Sequence, residues 1–328
     1  MDQVSRQFWL ERAGAGAIRE VQLSEPGDGW CRIESEFTGI SPGTERIVAL
    51  GQVPEEAAAP MRCQYMKGDF CFPVQYGYSL VGRCVAGPQE LVGRRIHTMH
   101  PHQDVCYVEA AAVFPVPNDI PAQRATLASN VETAVNAIWD SEAKAGERAA
   151  VIGFGIVGSL TARLFGTIPG AEITIVDSVA QKRETAAELG FAAYATVEPG
   201  SCDLAFECSG SPQGLQTAIN AVGAEGRVIV LSWYGNRDTV LHLGSDFHHG
   251  RKRIISSQVS RLPSAMSARW NYGRRKELVF RLLQSELFDK HITHVFPFDE
   301  LPRFFHSLCR GDFHGLSAAV QYSKPQER

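Results

Sequence analysis

The segment Gly153-Phe154-Gly155-Ile156-Val157-Gly158 constrains this chain more than any other. It follows an apolar run, Ala149-Ala150-Val151-Ile152, and opens a helix-compatible stretch, Ser159 to Phe165. A second apolar run, Ile173-Thr174-Ile175-Val176, leads into Asp177, nineteen residues past Gly158. The pattern reads strand, glycine turn, helix, strand, acid. Gly153 permits the tight turn, Gly155 lets a pyrophosphate approach the backbone, and Gly158 lets the helix pack close to the strand. The helix start at Ile156 and Val157 offers unpaired N–H groups to phosphates. A bare G-x-G-x-x-G is often only a turn; with both strands and the acid at this spacing it is a dinucleotide-binding fingerprint.

Asp177 also bears on which dinucleotide is bound. A carboxylate there accepts hydrogen bonds from the adenosine ribose of NAD(H). It repels a 2′-phosphate by roughly 4 kcal/mol per charge pair at ~4 Å and an effective dielectric near 20. Lys182, at the start of the next helix, either reaches the same ribose or is a solvated lysine. With Arg183 it leaves room for NADP(H), which the acid makes the less favoured cofactor.

At 328 residues the chain is long for one core, so two domains are expected. With 21% charged residues and a formal net charge of −4, no basic excess points to nucleic acid. No apolar run approaches the ~18–20 residues of a membrane span, and the first residues lack a signal-peptide layout. The eight cysteines show no framework spacing and read as reduced thiols, which makes the cytoplasm the expected compartment.

Residues 1–122 read as β-rich, with short runs at Arg32 to Phe37, Ser79 to Val85 and Val105 to Val108. From 123 to 265 strands alternate with helices: a helix over Ala125 to Ser141, strands at Asp203 to Cys208, Gly226 to Leu231 and Arg253 to Val259, and a helix from Pro212 to Val222. That alternation predicts an α/β fold with a Rossmann-type, doubly wound parallel sheet. Residues 266–328 change texture again, with helices at Arg275 to Ser285 and Leu301 to Arg310 and a strand at Ala318 to Tyr322. They are expected to complete the first domain and leave a cleft between two lobes.

The motifs Thr38-Gly39-Ile40-Ser41-Pro42-Gly43-Thr44-Glu45, Gly77-Tyr78-Ser79-Leu80-Val81-Gly82, Glu207 to Pro212 and Leu231 to Gly235 join the glycine fingerprint in a full-length pattern. By these the chain resembles the medium-chain dehydrogenase/reductase superfamily, of the zinc-type alcohol dehydrogenase-like kind. Ile40 to Glu45 and Pro101-His102-Gln103 are similar to the branch of bacteriochlorophyllide a dehydrogenase. The resemblance implies a β-rich, GroES-like catalytic domain beside the Rossmann domain, a small-molecule substrate, and a homodimer. It also exposes departures. Zinc enzymes of this superfamily carry Cys, His and Cys ligands where this chain has Ser41, Tyr78 and the stretch Leu127-Ala128-Ser129-Asn130. Catalytic zinc needs three N, S or O ligands and an open position, so no zinc is expected. His100, His102 and Cys106 remain as alternative metal donors, or as ordinary hydrogen-bonded groups.

Without a metal, hydride transfer needs side chains that polarise the substrate oxygen and move its proton. The resemblance puts Ser41, Glu45, Tyr78, His102 and Glu132 near the nicotinamide, with Thr133 beside the ring. Ser41 and Tyr78 hydroxyls either face the substrate oxygen or fill space. His102 titrates nearest neutrality and is a base or a loop histidine bonded to backbone. Glu132 is a catalytic acid or a buried structural partner. Glu45 reads as a structural ion pair with Arg46 or another basic group. Cys208, Ser209, Gly210, Leu231 and Ser232 stand at strand ends where such sheets bind ligands, and are expected to hold the nicotinamide ribose and carboxamide.

From Gly250 to Lys276 there are eight Lys or Arg and no acid. Arg261 and Arg269 are candidates to meet a substrate carboxylate or phosphate; otherwise the run is solvated and paired with acids elsewhere. The segment Gln52 to Gln75, with Cys63, Tyr65, Met66, Phe70 and Phe72, lines the cleft or forms a dimer contact. The leading function is NAD-dependent interconversion of a secondary alcohol and a ketone without catalytic zinc. The alternatives are a zinc-free quinone or enoyl-type C=C reductase and a non-catalytic NAD(H)-binding protein.

Overall fold

The computed structural model describes residues 3–323 and divides into two compact units. One comprises the described residues up to Ser129 together with those from Phe280 onward; the other is the continuous stretch Asn130–Val279. The sequence places the changes of texture at 122/123 and 265/266; the units change over at Ser129/Asn130 and Val279/Phe280.

The continuous unit holds six parallel strands in the order Ala192–Tyr194, Glu172–Val176, Arg148–Ile152, Cys202–Glu207, Val222–Val230, Arg253–Ser256. The strand before the glycine turn lies between the second and the fourth in chain order, which is the topological switch point of a doubly wound sheet. Helices Ile156–Phe165, Ala180–Glu188 and Pro212–Ala221 link the strands. Ala150, Ile152, Val176, Ala205, Leu215, Ile219 and Val228 form one buried cluster, as expected of strands that are apolar throughout because helices cover their faces. Two expected limits shift. The helix over Ala125 to Ser141 is broken after Ala125 and resumes at Ala128, and the strand from Arg253 stops at Ser256 instead of Val259.

The other unit opens with an antiparallel hairpin, Gln3–Arg12 with Ala15–Leu23. Its main sheet runs Ile292–Pro297, Ser317–Gln321, Trp30–Ile40, Leu80–Ala86, Arg95–Thr98, Phe114–Pro115, and Val105–Glu109 also pairs with Trp30–Ile40. Strand Ser317–Gln321 joins the tail to the N-terminal sheet by antiparallel pairing with Trp30–Ile40. The long strand Trp30–Ile40 alternates between buried and half-buried positions over most of its length, the period-2 pattern of a sheet with one face in the core. It ends at Ile40, and the next residue, Ser41, is the N-cap of helix Pro42–Ala49.

Candidate functional site

In the parallel sheet the glycine turn is fixed by its neighbours. Gly153 has φ +92°, and a Cβ there would stand 2.6 Å from the backbone of Ser209. At Gly158 a Cβ would meet the Gly153 carbonyl at 2.1 Å, so helix and turn touch only because both lack side chains. At Gly155, the N-cap of helix Ile156–Phe165, a Cβ would meet nothing within 4 Å: this side of the turn is open, as a phosphate requires. Ile156 is buried and Val157 half-buried in the first turn. Asp177 is half-buried; its Oδ2 accepts from the Phe154 amide at 2.8 Å and its Oδ1 from the Val179 amide at 2.9 Å. The acid is thus tied to the glycine turn itself. Burial pulls the Lys182 pKa down, with Asp177 opposing, so this lysine lies in the field of the acid. Arg183 donates to the Asp177 and Ser178 carbonyls.

Next to the turn lies a carboxylate that closes an otherwise apolar strand. Glu207 is fully buried at the end of strand Cys202–Glu207. Its Oε1 accepts from the Ser209 amide at 2.7 Å, the Ser209 hydroxyl at 2.6 Å and the Gly210 amide at 3.2 Å; its Oε2 accepts from the Tyr234 hydroxyl at 2.7 Å. Gly210 also donates to Ser232 Oγ at 2.9 Å, and the Leu231 amide to the Glu207 carbonyl at 3.0 Å. Cys208, Ser209, Gly210, Leu231 and Ser232 are therefore brought together around one buried acid. Burial and Glu207 raise the pKa of the Cys208 thiol, and also that of the Tyr234 phenol, which stays a donor. An acid closing an apolar strand was the available signal, since a buried carboxylate demands donors.

The second cluster is in the other unit. The Tyr78 hydroxyl is hydrogen-bonded with the side chains of Ser41 and Thr44, and burial, with Glu45 close by, raises its pKa, so the phenol is neutral at neutral pH. Ser41 is buried; its amide donates to Glu45 Oε1 at 2.8 Å, while Glu45 Oε2 lies 2.9 Å from His102 Nε2. His102 Nδ1 lies 2.7 Å from Thr38 Oγ1, which in turn meets the Tyr322 hydroxyl at 3.1 Å. Of the partners expected for Glu45, the one present is the other basic group, His102; the Arg46 guanidinium reaches the carbonyls of Leu308 and Cys309. His102 lies in the loop between Arg95–Thr98 and Val105–Glu109, fully buried, and its ring nitrogens meet side chains, not backbone.

Glu132 is buried with Arg275 on Oε1 at 3.2 Å and Lys276 on Oε2. Arg275 continues to Asn136 at 2.9 Å, and Asn136 to Asp140 at 2.9 Å. Two acids, Glu132 and Asp140, and two bases, Arg275 and Lys276, thus share one chain of contacts. Thr133 follows Glu132 and is half-buried. Within the basic run, Lys252 pairs with Asp246 and Arg251 with Glu225, while Arg261 and Arg269 are exposed. In the segment Gln52 to Gln75, Met66 and Phe70 are buried and Tyr65 stacks on His100 at 5.2 Å. Burial pushes the Cys63 thiol up to about 11.

Comparisons with known proteins agree with this architecture. No family model matches the chain. A 2-dehydro-3-deoxy-L-galactonate 5-dehydrogenase from Pseudoalteromonas atlantica is 28% identical over 156 residues, 44% of this chain and 46% of that protein. An (R,R)-butanediol dehydrogenase from Bacillus subtilis is 27% identical over 137 residues, 38% of this chain and 40% of that protein. The chain thus spans less than half the length of these curated relatives. Among solved structures, one from Sinorhizobium meliloti described as a zinc-binding dehydrogenase and bound to NADP has a TM-score of 0.78 at 20% identity, covering 97% of this chain and 99% of its own. A short chain alcohol dehydrogenase from Escherichia coli CFT073 in complex with NADH has a TM-score of 0.76 at 15% identity, again covering 97% and 99%. The fold of this chain is that of these dehydrogenase structures, a Rossmann unit and a GroES-like β-rich unit.

One of those neighbours is described as zinc-binding, but the residues here do not fit a zinc ion. Ser41 and Tyr78 offer hydroxyls bonded to one another, and the Ser129 hydroxyl donates to the Tyr78 carbonyl at 2.9 Å. His100 Nδ1 lies 3.0 Å from the Pro101 carbonyl oxygen, both His102 nitrogens are occupied, and burial holds Cys106 as a thiol. Among the described residues no group of three or more His, Cys, Asp or Glu is placed to hold a metal.

Proposed function

We propose that this chain is a nicotinamide-dependent oxidoreductase that interconverts a secondary alcohol and a ketone, with hydroxyl groups in the place of a metal. The observation that carries the reading is the glycine turn: open at Gly155, closed by Gly153 and Gly158, and tied to Asp177. Names of relatives and neighbours support the same class, since they are alcohol and polyol dehydrogenases or nicotinamide complexes.

A bound nicotinamide supplies or accepts the hydride. The chain's own task is the oxygen of the substrate. Ser41 and Tyr78 hold that oxygen by hydrogen bonds; in ketone reduction the Tyr78 phenol gives its proton to the forming alkoxide and is left as a phenolate, which solvent reprotonates, and in alcohol oxidation that phenolate takes the hydroxyl proton and releases it to solvent. Glu207 orders the Ser209–Gly210 turn and Ser232 for the nicotinamide half of the cofactor. Asp177 favours NAD(H) by accepting from the ribose; Lys182 and Arg183 lie close enough that NADP(H) is the alternative. We also propose a homodimer, small-molecule substrates only, and a reducing compartment, the cytoplasm, in keeping with eight unpaired cysteines. None of the described helices is long and apolar enough to cross a membrane.

A thermal-shift titration with NADH and NADPH, run beside metal analysis, tests this. Stabilisation grows as RT ln(1 + [L]/Kd), and selective stabilisation by NADH without stoichiometric zinc is expected. Turnover is then screened on secondary alcohols and ketones, and mass by analytical ultracentrifugation. NADPH preference with turnover of enones would replace the reading by a C=C reductase. One zinc per chain would overturn the account of the oxygen site.

A further inference from the structure

We propose that His102 and Glu45 form a clamp that fixes the spacing between the Ser41 turn and the Tyr78 turn, and so act as positioning residues for the alcohol chemistry; this rests on the oxidoreductase reading above. His102 touches both segments. On one side Nε2 meets Glu45 Oε2 at 2.9 Å, and the other oxygen of that carboxylate takes the Ser41 amide at 2.8 Å. Nδ1 meets Thr38 Oγ1 at 2.7 Å, on the strand that leads into Ser41. On the other side the ring lies against Gly77, the residue before Tyr78. A Cβ on Gly77 would stand 3.0 Å from His102 Cδ2 and 3.1 Å from Nε2. With φ +137° as well, position 77 accepts glycine and little else.

The imidazole is held from its remaining sides. Phe8 and Phe305 meet it edge-on, with centroids 6.5 and 6.2 Å away, and Tyr322 backs Thr38. Turning the ring would break two buried hydrogen bonds at once, each costly to leave unmade. His102 therefore does not take the substrate proton itself. It couples two chain segments 37 positions apart (41 and 78 in sequence), each bearing one of the hydroxyls that handle the oxygen. A metal with ligands on both segments would do the same mechanical work; here an imidazole–carboxylate pair does it.

The test uses the full chain and three substitutions, His102→Gln, Glu45→Gln and Gly77→Ala. For each, kcat is expected to fall about 100-fold, the cost of moving a reacting group by about 1 Å. NADH stabilisation in the thermal-shift assay is expected to stay at the wild-type value. Backbone hydrogen exchange is expected to speed up in residues 39–46 and 76–80 together in every variant. In a Tyr78→Phe background, His102→Gln is expected to add little further loss, because both act on the same hydroxyl. Faster exchange in only one of the two segments would overturn the clamp, as would additive effects of His102→Gln and Tyr78→Phe. If His102→Gln does not fold, Glu45→Gln carries the same comparison with the shape of the side chain kept. If the wild-type protein turns over no alcohol or ketone, the oxidoreductase reading fails, and the exchange experiment still decides the clamp.

Discussion

Glu207 and Glu45 are both buried carboxylates, one at the end of a parallel strand and one in the first turn of a helix. Their surroundings differ in kind. Glu207 takes four neutral donors, two from Ser209, one from Gly210 and the fourth from Tyr234. Glu45 takes one amide from Ser41 and one imidazole from 57 positions away. The first carboxylate is wrapped by its own turn; the second is a bridge between distant segments. The Glu207 turn is thus robust to the loss of any one donor, whereas the Ser41–Tyr78 cluster depends on a single ring.

The largest expected effect breaks the bridge. His102→Leu leaves Glu45 in an apolar pocket with one donor, and should cost about 3–5 kcal/mol in denaturant unfolding. The pH dependence of the same region comes next. Burial holds His100 down at about 4, below its ordinary value of 6.5. Its stabilising contribution is complete above pH 6.5 and is lost as pH falls toward 4, because the unfolded chain binds the proton first; the total is about 3 kcal/mol. Unfolding at pH 7 and pH 4.5 checks it, and His100→Gln should flatten the difference.

Tyr234→Phe removes one of four donors from Glu207 and should cost about 1.5–3 kcal/mol, less than His102→Leu. Equal losses would erase the contrast between the two carboxylates. Gly153→Ala forces a side chain into a left-handed backbone and should cost about 1–3 kcal/mol, with the NADH-induced thermal shift abolished. Smallest of all, Arg261→Ala and Arg269→Ala should leave stability within ~0.5 kcal/mol. An unchanged substrate KM in both would end the idea that these arginines meet an anionic substrate.

The same contrast explains how much the chain disclosed before folding. Strand, turn, helix and acid around Gly153 lie within thirty positions, and each local choice agrees with the parallel sheet. Asp177 was legible for that reason, although its bond to the Phe154 amide was not. Ser41, Tyr78 and His102 were named as residues, but the Glu45–His102 pair was hidden, because the pairing depends on strands Trp30–Ile40 and Val105–Glu109 lying side by side. The neighbouring Arg46 was the obvious partner in sequence and turned outward to carbonyls instead. Glu132 stayed ambiguous for the same reason, since its cations arrive from a helix more than 140 positions later.

Strand Ser317–Gln321 sits between Ile292–Pro297 and Trp30–Ile40, and Tyr322 closes the line of contacts through Thr38 to His102. The parallel-sheet unit is one continuous stretch, complete once Val279 has been made. During synthesis, with domains forming as units from the N-terminal side, the order of events is therefore set by the chain path. The cluster of Ser41, Tyr78 and His102 waits for residues near 320 although its members were translated early, so an incomplete polypeptide would acquire its parallel-sheet unit well before that cluster is closed.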